Sequence, residues 1–151
     1  MDDDLVDLTH LTPAAQRIAV LPAAERIAHV RADRWIGYSR ATDALARLEA
    51  LFEWPSKQRM PNLLLIGPTN NGKSMIIEKF RRTHPAVSLP DREHIPVLVM
   101  QMPSDPTVIR FYVGLLASMG APLRPRQRLA ELEQIALELL RRVGVQLLVI
   151  D

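Results

Sequence analysis

The sequence predicts an α/β fold in which a parallel sheet lies between two layers of helices and is preceded by a helical extension. The first observation is that three short apolar runs, residues 63–66, 96–102 and 145–150, could each fill a strand buried on both faces. The second is that segments of helical periodicity separate these runs, and such alternation is typical of parallel sheets. The third is the length of 151 residues, which suits one domain with a sizeable core.

Residues 1–55 form the helical extension in this prediction. Proline is favoured at the first position of a helix, so Pro22 predicts a helix that runs to about Arg31. The aromatic segment of residues 34–38 then leads into a second helix. The apolar face of that helix ends before Pro55, because the residue before a proline disfavours helical geometry.

The most informative stretch follows the first apolar run and matches the phosphate-loop (Walker A) pattern G-x-x-x-x-G-K-[ST] at every fixed position. Apolar residues then recur at helical spacing, so the order of elements is strand, loop and helix. An ordinary glycine turn between a strand and a helix is the plainer alternative, but a full match in this context makes it the weaker one. The loop consists of Gly67, Pro68, Thr69, Asn70, Asn71, Gly72, Lys73 and Ser74.

The residue types of this loop suit a nucleoside triphosphate. Gly67 and Gly72 are expected to adopt backbone conformations closed to other residues, so that successive N–H groups surround a phosphate. The helix that follows adds unpaired N–H groups and the positive end of its dipole. Lys73 would reach the β- and γ-phosphates, and the Ser74 hydroxyl would bind a magnesium ion.

Two more helices and two more strands are predicted after the loop helix. Residues 83–96 hold three prolines and mixed charge, which indicates an exposed loop before the second strand. One helix is expected to begin at residues 104–106 and to end at Gly120. The next helix spans residues 129–143. Its inward face is predicted to consist of Leu129, Leu132, Ile135, Ala136 and Leu139.

The last apolar run ends in Asp151, which gives it the pattern of a Walker-B strand. In such strands the carboxylate helps to hold magnesium beside the nucleotide. Buried strands often end in aspartate by chance, so the pattern carries weight only because a phosphate loop precedes it by one strand and two helices. Ser74 and Asp151 are therefore the predicted magnesium ligands.

Composition excludes several kinds of function. The chain has no cysteine, which removes disulfides, thiolate metal sites and cysteine nucleophiles. Its four histidines lack metal-ligand spacing and are expected on the surface. The acidic residues 2–4 are the opposite of a basic signal-peptide start, and no apolar run reaches membrane-spanning length. We therefore expect a cytoplasmic protein with no membrane partner, whose net charge of +2 permits contact with a polyanion without requiring it.

Four segments carry a more specific signal when they are taken together. They read Glu-Arg-Ile at 25–27, Arg-Trp-Ile-Gly-Tyr at 34–38, Arg-Met-Pro-Asn-Leu-Leu-Leu-Ile-Gly at 59–67 and Thr-Asn-Asn-Gly-Lys-Ser at 69–74. This combination resembles the TniB family, which are AAA+ ATP-binding proteins of bacterial transposons related to the TnsC and MuB type of transposition regulator. The similarity runs from about Glu25 to Asp151, which is most of this chain but only the first part of a family member.

The resemblance implies roles for individual residues. Lys73 and Ser74 take the phosphate and magnesium roles, and Asp151 takes the Walker-B role. Ile36 and Tyr38 align with the segment where AAA+ proteins usually hold the adenine. Family members bind ATP with Mg²⁺, assemble as oligomers on duplex DNA, and help a partner transposase to select and use a target site.

The resemblance also implies an incomplete P-loop NTPase. Residues 56–151 would be the N-terminal part of an AAA+ nucleotide-binding domain, and residues 1–55 the helical extension with the adenine-side segment. AAA+ ATPases place a catalytic glutamate directly after the Walker-B aspartate, with a sensor strand, an arginine finger and a helical lid further on, so we expect no hydrolysis. In the AAA+ strand order 5-1-4-3-2, residues 63–66 would lack both neighbours, or would pair directly with the third strand.

Two other functions stay open on the sequence alone. A small kinase-like phosphotransferase would use the same loop, but it needs an acceptor pocket and a lid after the Walker-B strand. A basic DNA-interaction module without a nucleotide role would use exposed cations, although a solvated helix face is the simpler explanation for these. The cations concerned are Lys79, Arg81, Arg82, Arg124, Arg126, Arg128, Arg141 and Arg142.

Overall fold

A computed structural model of the chain describes residues 7–32, 34–124 and 127–151. The chain divides into two units, with the boundary between Ile36 and Gly37. The first unit contains helices α1 (Pro13–Ala19) and α2 (Ala23–Arg31). The predicted end of α2 at about Arg31 is therefore confirmed. None of the described helices in either unit is long and apolar enough to cross a membrane.

The second unit mixes helices and strands, which confirms the predicted α/β character. Its helices are α3 (Ser39–Phe52), α4 (Lys73–Thr83), α5 (Val108–Ser118) and α6 (Leu129–Arg142). Its strands are β1 (Val87–Ser88), β2 (Glu93–His94), β3 (Val97–Met100) and β4 (Leu147–Ile150). The two short strands β1 and β2 form an antiparallel pair within the segment predicted to be an exposed loop.

The longer strands β3 and β4 form a parallel pair, with Val97 opposite Leu147 and Met100 opposite Ile150. Parallel neighbours need a crossover connection, and α5 and α6 provide it. The ladder continues one residue beyond β4, because the Asp151 N–H donates to the Met100 carbonyl at 3.0 Å and the Met102 N–H donates to the Asp151 carbonyl at 2.8 Å. These two bonds place Asp151 at the carboxyl end of the sheet.

The core of this unit lies where α5 and α6 cover the parallel pair. Helix α5 packs against both α6 and β3, and the residues at these contacts form one buried cluster. The buried cluster consists of Leu98, Met100, Leu115, Leu116, Leu132 and Ala136.

The predicted inward face of α6 is correct at its centre and wrong at two positions. Leu132 and Ala136 are buried and Leu139 is partly buried, whereas Leu129 is 38% exposed and Ile135 is 39% exposed. Leu129 is the first residue of the helix, and Ile135 lies at the edge of the stripe at 100° per residue. Periodicity gives the direction of an apolar stripe, but the width that is buried depends on the neighbouring helix α5.

Residues 63–66 do not form the buried strand that the sequence predicts. Leu64 is 80% exposed and Ile66 is 81% exposed. No backbone hydrogen bond joins this segment to a strand within the described residues, so the prediction of direct pairing with the Walker-B strand is also wrong. An apolar run forms a ladder only where a second strand lies within hydrogen-bond distance, and among the described residues no strand pairs with this segment. A cavity of about 570 Å³ is lined by this segment on one side and by β4 on the other.

His84, predicted to lie on the surface, is instead largely enclosed. Its ring lies 4.2 Å from the Phe52 ring and 4.6 Å from the Phe80 ring, measured between centroids. Its Nε2 lies 3.3 Å from a carboxylate oxygen of Glu49, and its side chain is only 18% exposed. Phe52 and Glu49 belong to α3, and Phe80 belongs to α4. The His84 ring therefore contacts both helices where they pack together.

Candidate functional site

The amino terminus of α4 is open to an anion. Gly72 is the N-cap residue, with φ 75° and ψ 13°, a left-handed conformation that glycine adopts without steric cost. No side chain caps this end, and the first turn holds no acidic residue. The first backbone bond of the helix runs from the Ile76 N–H to the Gly72 carbonyl. The earlier N–H groups therefore have no acceptor within the helix, and the helix dipole makes their surroundings favourable for negative charge.

The left-handed backbone conformations of the loop occur at Asn70 and Gly72, and not at Gly67 as predicted. Gly67 does not have a positive φ, and a Cβ added there would make only ordinary contacts, 3.6 Å to Asn71 Nδ2 and 3.8 Å to Lys73 Cδ. The expectation that Gly67 needs glycine for its backbone conformation is therefore wrong. Asn70 has φ 61° instead, and asparagine tolerates this region because its short polar side chain can bond locally. An asparagine two residues before Gly72 is the sequence signal for this second left-handed position.

Lys73 folds back over the start of the loop. Its Nζ donates hydrogen bonds to the carbonyl oxygens of Gly67 and Pro68, each at 2.8 Å. An ammonium group has three donors, so these two bonds leave one for a further acceptor. The positive charge therefore lies beside the loop that α4 follows, where a phosphate group would meet both the ammonium and the helix amino terminus.

Ser74 and Asp151, the two predicted magnesium ligands, are in direct contact. The Ser74 hydroxyl donates to Asp151 Oδ2 at 2.7 Å, and both residues are exposed to solvent. Hydroxyl and carboxylate oxygens are hard donors that suit Mg²⁺, which commonly binds through one or two carboxylates together with waters and substrate phosphates. The described residues contain no group of three His, Cys, Asp or Glu side chains that could hold a metal by themselves. The donor set fits a magnesium ion shared with a phosphate.

Tyr38, predicted to lie on the adenine side, contacts the loop itself. Its hydroxyl donates to the Asn71 carbonyl at 3.2 Å, and the side chain is 45% exposed. Pro68 and Thr69 are exposed in the same loop. Ile36 is the last residue of the first unit and is 76% exposed, so its role beside the adenine stays a prediction. No local pattern in the sequence predicts the bond between Tyr38 and the loop, because the two partners lie 33 positions apart.

The basic residues behind the DNA-module alternative are not equivalent. Glu78 lies 2.8 Å from Arg81 and 2.7 Å from Arg82. Hydrogen bonds from Arg81 and then Arg82 lower the pKa of Glu78 to about 2, so two of the cations are partly neutralised. Arg126 lies outside the described residues. The other cations are exposed, namely Lys79, Arg124, Arg128, Arg141 and Arg142.

The fold and the site define an α/β protein in which a glycine-containing loop, a helix amino terminus, a lysine and a hydroxyl–carboxylate pair converge. The chain belongs to the TniB family, since the family described as Bacterial TniB protein matches residues 26–151. The predicted resemblance is therefore confirmed. Membership of this family associates the chain with transposition. No curated protein matches the chain.

Proposed function

We propose that this chain is an ATP-binding regulator of DNA transposition, which acts with a transposase on duplex DNA during target-site selection. The observation that carries the proposal is the 2.7 Å hydrogen bond between Ser74 and Asp151 at the amino terminus of α4. It joins the last residue of the phosphate-loop pattern to the residue that ends the Walker-B pattern. Family membership supplies the connection to transposition.

In this proposal, different residues bind the phosphates of ATP and the magnesium ion. Lys73 and the first-turn N–H groups of α4 would bind the phosphates, because they supply a point charge and oriented donors together. Ser74 and Asp151 would hold Mg²⁺, which neutralises charge on the terminal phosphates when it is bound. This arrangement is the phosphate side of an AAA+-type P-loop NTPase domain, which is the finer fold class that we propose.

Calorimetric titration with ATP and magnesium tests the nucleotide part of the proposal. Lys73→Ala should weaken binding by at least about tenfold, because hydrogen bonds to charged groups are among the stronger ones. Lys79→Ala is the matched control, since Lys79 is an exposed lysine on the same helix. We expect it to leave the affinity unchanged. Equal affinities for the wild type and Lys73→Ala would overturn the assignment, provided that both proteins give the same circular dichroism spectrum.

Duplex DNA is the proposed polyanionic partner, and its contacts can be tested separately. Non-specific phosphate contacts typically give dissociation constants of ~10⁻⁴ to 10⁻⁶ M that weaken steeply with salt. Replacing Arg141 and Arg142 with alanine should weaken binding in gel-shift titrations and should flatten the salt dependence. Replacing Arg81 and Arg82 should have a smaller effect, because Glu78 already pairs with them. Binding that does not respond to salt or to either pair of substitutions would contradict this part of the proposal.

A further inference from the structure

Tyr38 forms a hydrogen bond with the phosphate loop, although 33 positions of the chain separate it from its partner Asn71. It is the N-cap residue of α3, in extended conformation, and its hydroxyl donates to the Asn71 carbonyl at 3.2 Å. The same hydroxyl oxygen would lie 3.4 Å from a Cβ built on Gly72. It therefore lies against the peptide group that joins Asn71 to Gly72, directly before the first residue of α4.

This peptide group precedes a glycine, so it can rotate at little steric cost. Gly72 has φ 75°, and because glycine populates positive and negative φ about equally, its φ does not hold this peptide plane in place. The described chain has no cis peptide bond, and in a trans peptide the carbonyl and the N–H point in opposite directions. A hydrogen bond that holds the Asn71 carbonyl toward Tyr38 therefore also fixes the direction of the Gly72 N–H.

We propose that Tyr38 is a positioning residue whose hydroxyl, through the Asn71 carbonyl, locks the phosphate loop in its anion-binding conformation. This inference rests on the proposed function, because it concerns the loop that would bind the phosphates of ATP. It differs from the adenine-side role that the family resemblance implies, since that role would use the ring and a base, whereas this one uses the hydroxyl and the loop backbone. The two roles predict different responses to removal of a single oxygen atom.

Tyr38→Phe removes that oxygen and keeps the ring. The ligands are ATP with magnesium and inorganic tripolyphosphate with magnesium, of which the second has no base. If the hydroxyl holds the loop, Tyr38→Phe weakens both ligands by the same factor, about three- to tenfold for the loss of one hydrogen bond. Tyr112→Phe is the matched control, because it removes the hydroxyl of the other tyrosine, on α5, and should change neither affinity.

A ring-only role gives a different pattern, and that pattern would overturn the proposal. In that case Tyr38→Phe binds both ligands as the wild type does, and Tyr38→Ala loses affinity for ATP but not for tripolyphosphate. If the wild type binds neither ligand, the proposed function fails and this inference fails with it. If the wild type binds both and only the response to Tyr38→Phe is missing, the inference about Tyr38 alone is wrong.

The amide resonance of Gly72 can show, in the absence of any ligand, whether the Tyr38 hydroxyl fixes the Asn71–Gly72 peptide. In a nitrogen–proton correlation spectrum, Tyr38→Phe should shift or broaden the Gly72 signal, because the peptide plane gains freedom to rotate. Signals from α6 should stay in place, which shows that the variant is folded. An unchanged Gly72 signal in a folded Tyr38→Phe protein would show that the hydroxyl does not fix this peptide, and the proposal would be abandoned.

Discussion

Ser74 donates a 2.7 Å hydrogen bond to the carboxylate of Asp151, although 77 positions of the chain separate the two residues. Each partner is positioned by a different element. Ser74 lies in the first turn of α4, and Asp151 is held by backbone bonds to Met100 and Met102 at the end of the parallel pair. The α/β packing of the second unit therefore assembles this oxygen pair.

The Ser74–Asp151 pair should act as one unit in magnesium-dependent binding. We expect magnesium to tighten ATP binding by the wild type, and Ser74→Ala and Asp151→Asn each to remove most of that gain, on the order of tenfold. The double variant should lose little more than either single one, because residues that share an interaction are non-additive. The measurement is the ATP affinity with magnesium and with EDTA.

The control for this experiment is Ser88→Ala, which removes an exposed serine hydroxyl on β1. It should keep the full difference between magnesium and EDTA. Two single effects that simply add, or a magnesium effect that survives in Asp151→Asn, would show that the two oxygens do not serve one ion.

Gly144→Ala should destabilise the protein more than Gly120→Ala. The two glycines follow α6 and α5, with almost the same backbone conformation, φ +71° and φ +70°. An added Cβ at Gly144 would lie 2.6 Å from His94 Nδ1, whereas one at Gly120 meets nothing within 4 Å. Each substitution should lower the free energy of unfolding by ~1–2 kcal/mol, because alanine is strained in the left-handed conformation. The overlap with His94 should add ~1–3 kcal/mol at Gly144 alone.

Urea unfolding midpoints measure this difference. His94→Ala in the Gly144→Ala background should recover the part that comes from the overlap, relative to His94→Ala alone. Equal losses for the two glycine variants would mean that the His94 ring moves aside without cost.

Glu78 should stabilise α4 in a pH-dependent way. Its pKa is lowered from 4.5 to about 2, first by Arg81 and then by Arg82, so the folded state favours the ionised form. The stabilisation is therefore fully present above pH 4.5 and is lost as the pH falls towards about 2. Because the pair lies at the surface, Glu78→Gln should cost no more than ~1 kcal/mol at pH 7.

Unfolding measured from pH 7 down to pH 2 checks this, with Glu138→Gln as an exposed control on α6. The difference in the free energy of unfolding between the wild type and Glu78→Gln should vanish as the pH falls, and it should also decrease in high salt. A gap that stays constant across this range would assign the effect to packing of the side chain instead.

The unpaired segment 63–66 should promote self-association. Leu64 and Ile66 are about four-fifths exposed, and unpaired apolar backbone is a template for pairing between chains. Replacing both with lysine should lower the concentration-dependent light scattering of the protein. Since both side chains are exposed, the free energy of unfolding should change by no more than ~0.5 kcal/mol.

Val20→Lys is the control, because Val20 is 73% exposed but lies outside this segment. It should leave the scattering unchanged. An equal drop in scattering for Val20→Lys would point to general surface charge, and no drop for the double variant would show that the segment is not the site of association.

Local patterns determined the α/β class, the position of α4 and the run that becomes β4. Helical periodicity, proline and glycine punctuation and a continuous apolar run all act within a few residues, so they are readable from the sequence. The loop pattern likewise placed Lys73 and Ser74 at the start of α4, because a glycine N-cap and a helix start are neighbours in the chain.

Only the tertiary structure decided which of these elements became partners. The run at residues 63–66 is as apolar as β4, yet it forms no ladder, because pairing depends on a neighbouring strand and not on composition. The burial of His84 between Phe52 and Phe80, the bond from Tyr38 to Asn71 and the contact of Ser74 with Asp151 all join residues from different elements. Such contacts depend on how helices and strands pack together, and packing distances are not encoded in any local pattern.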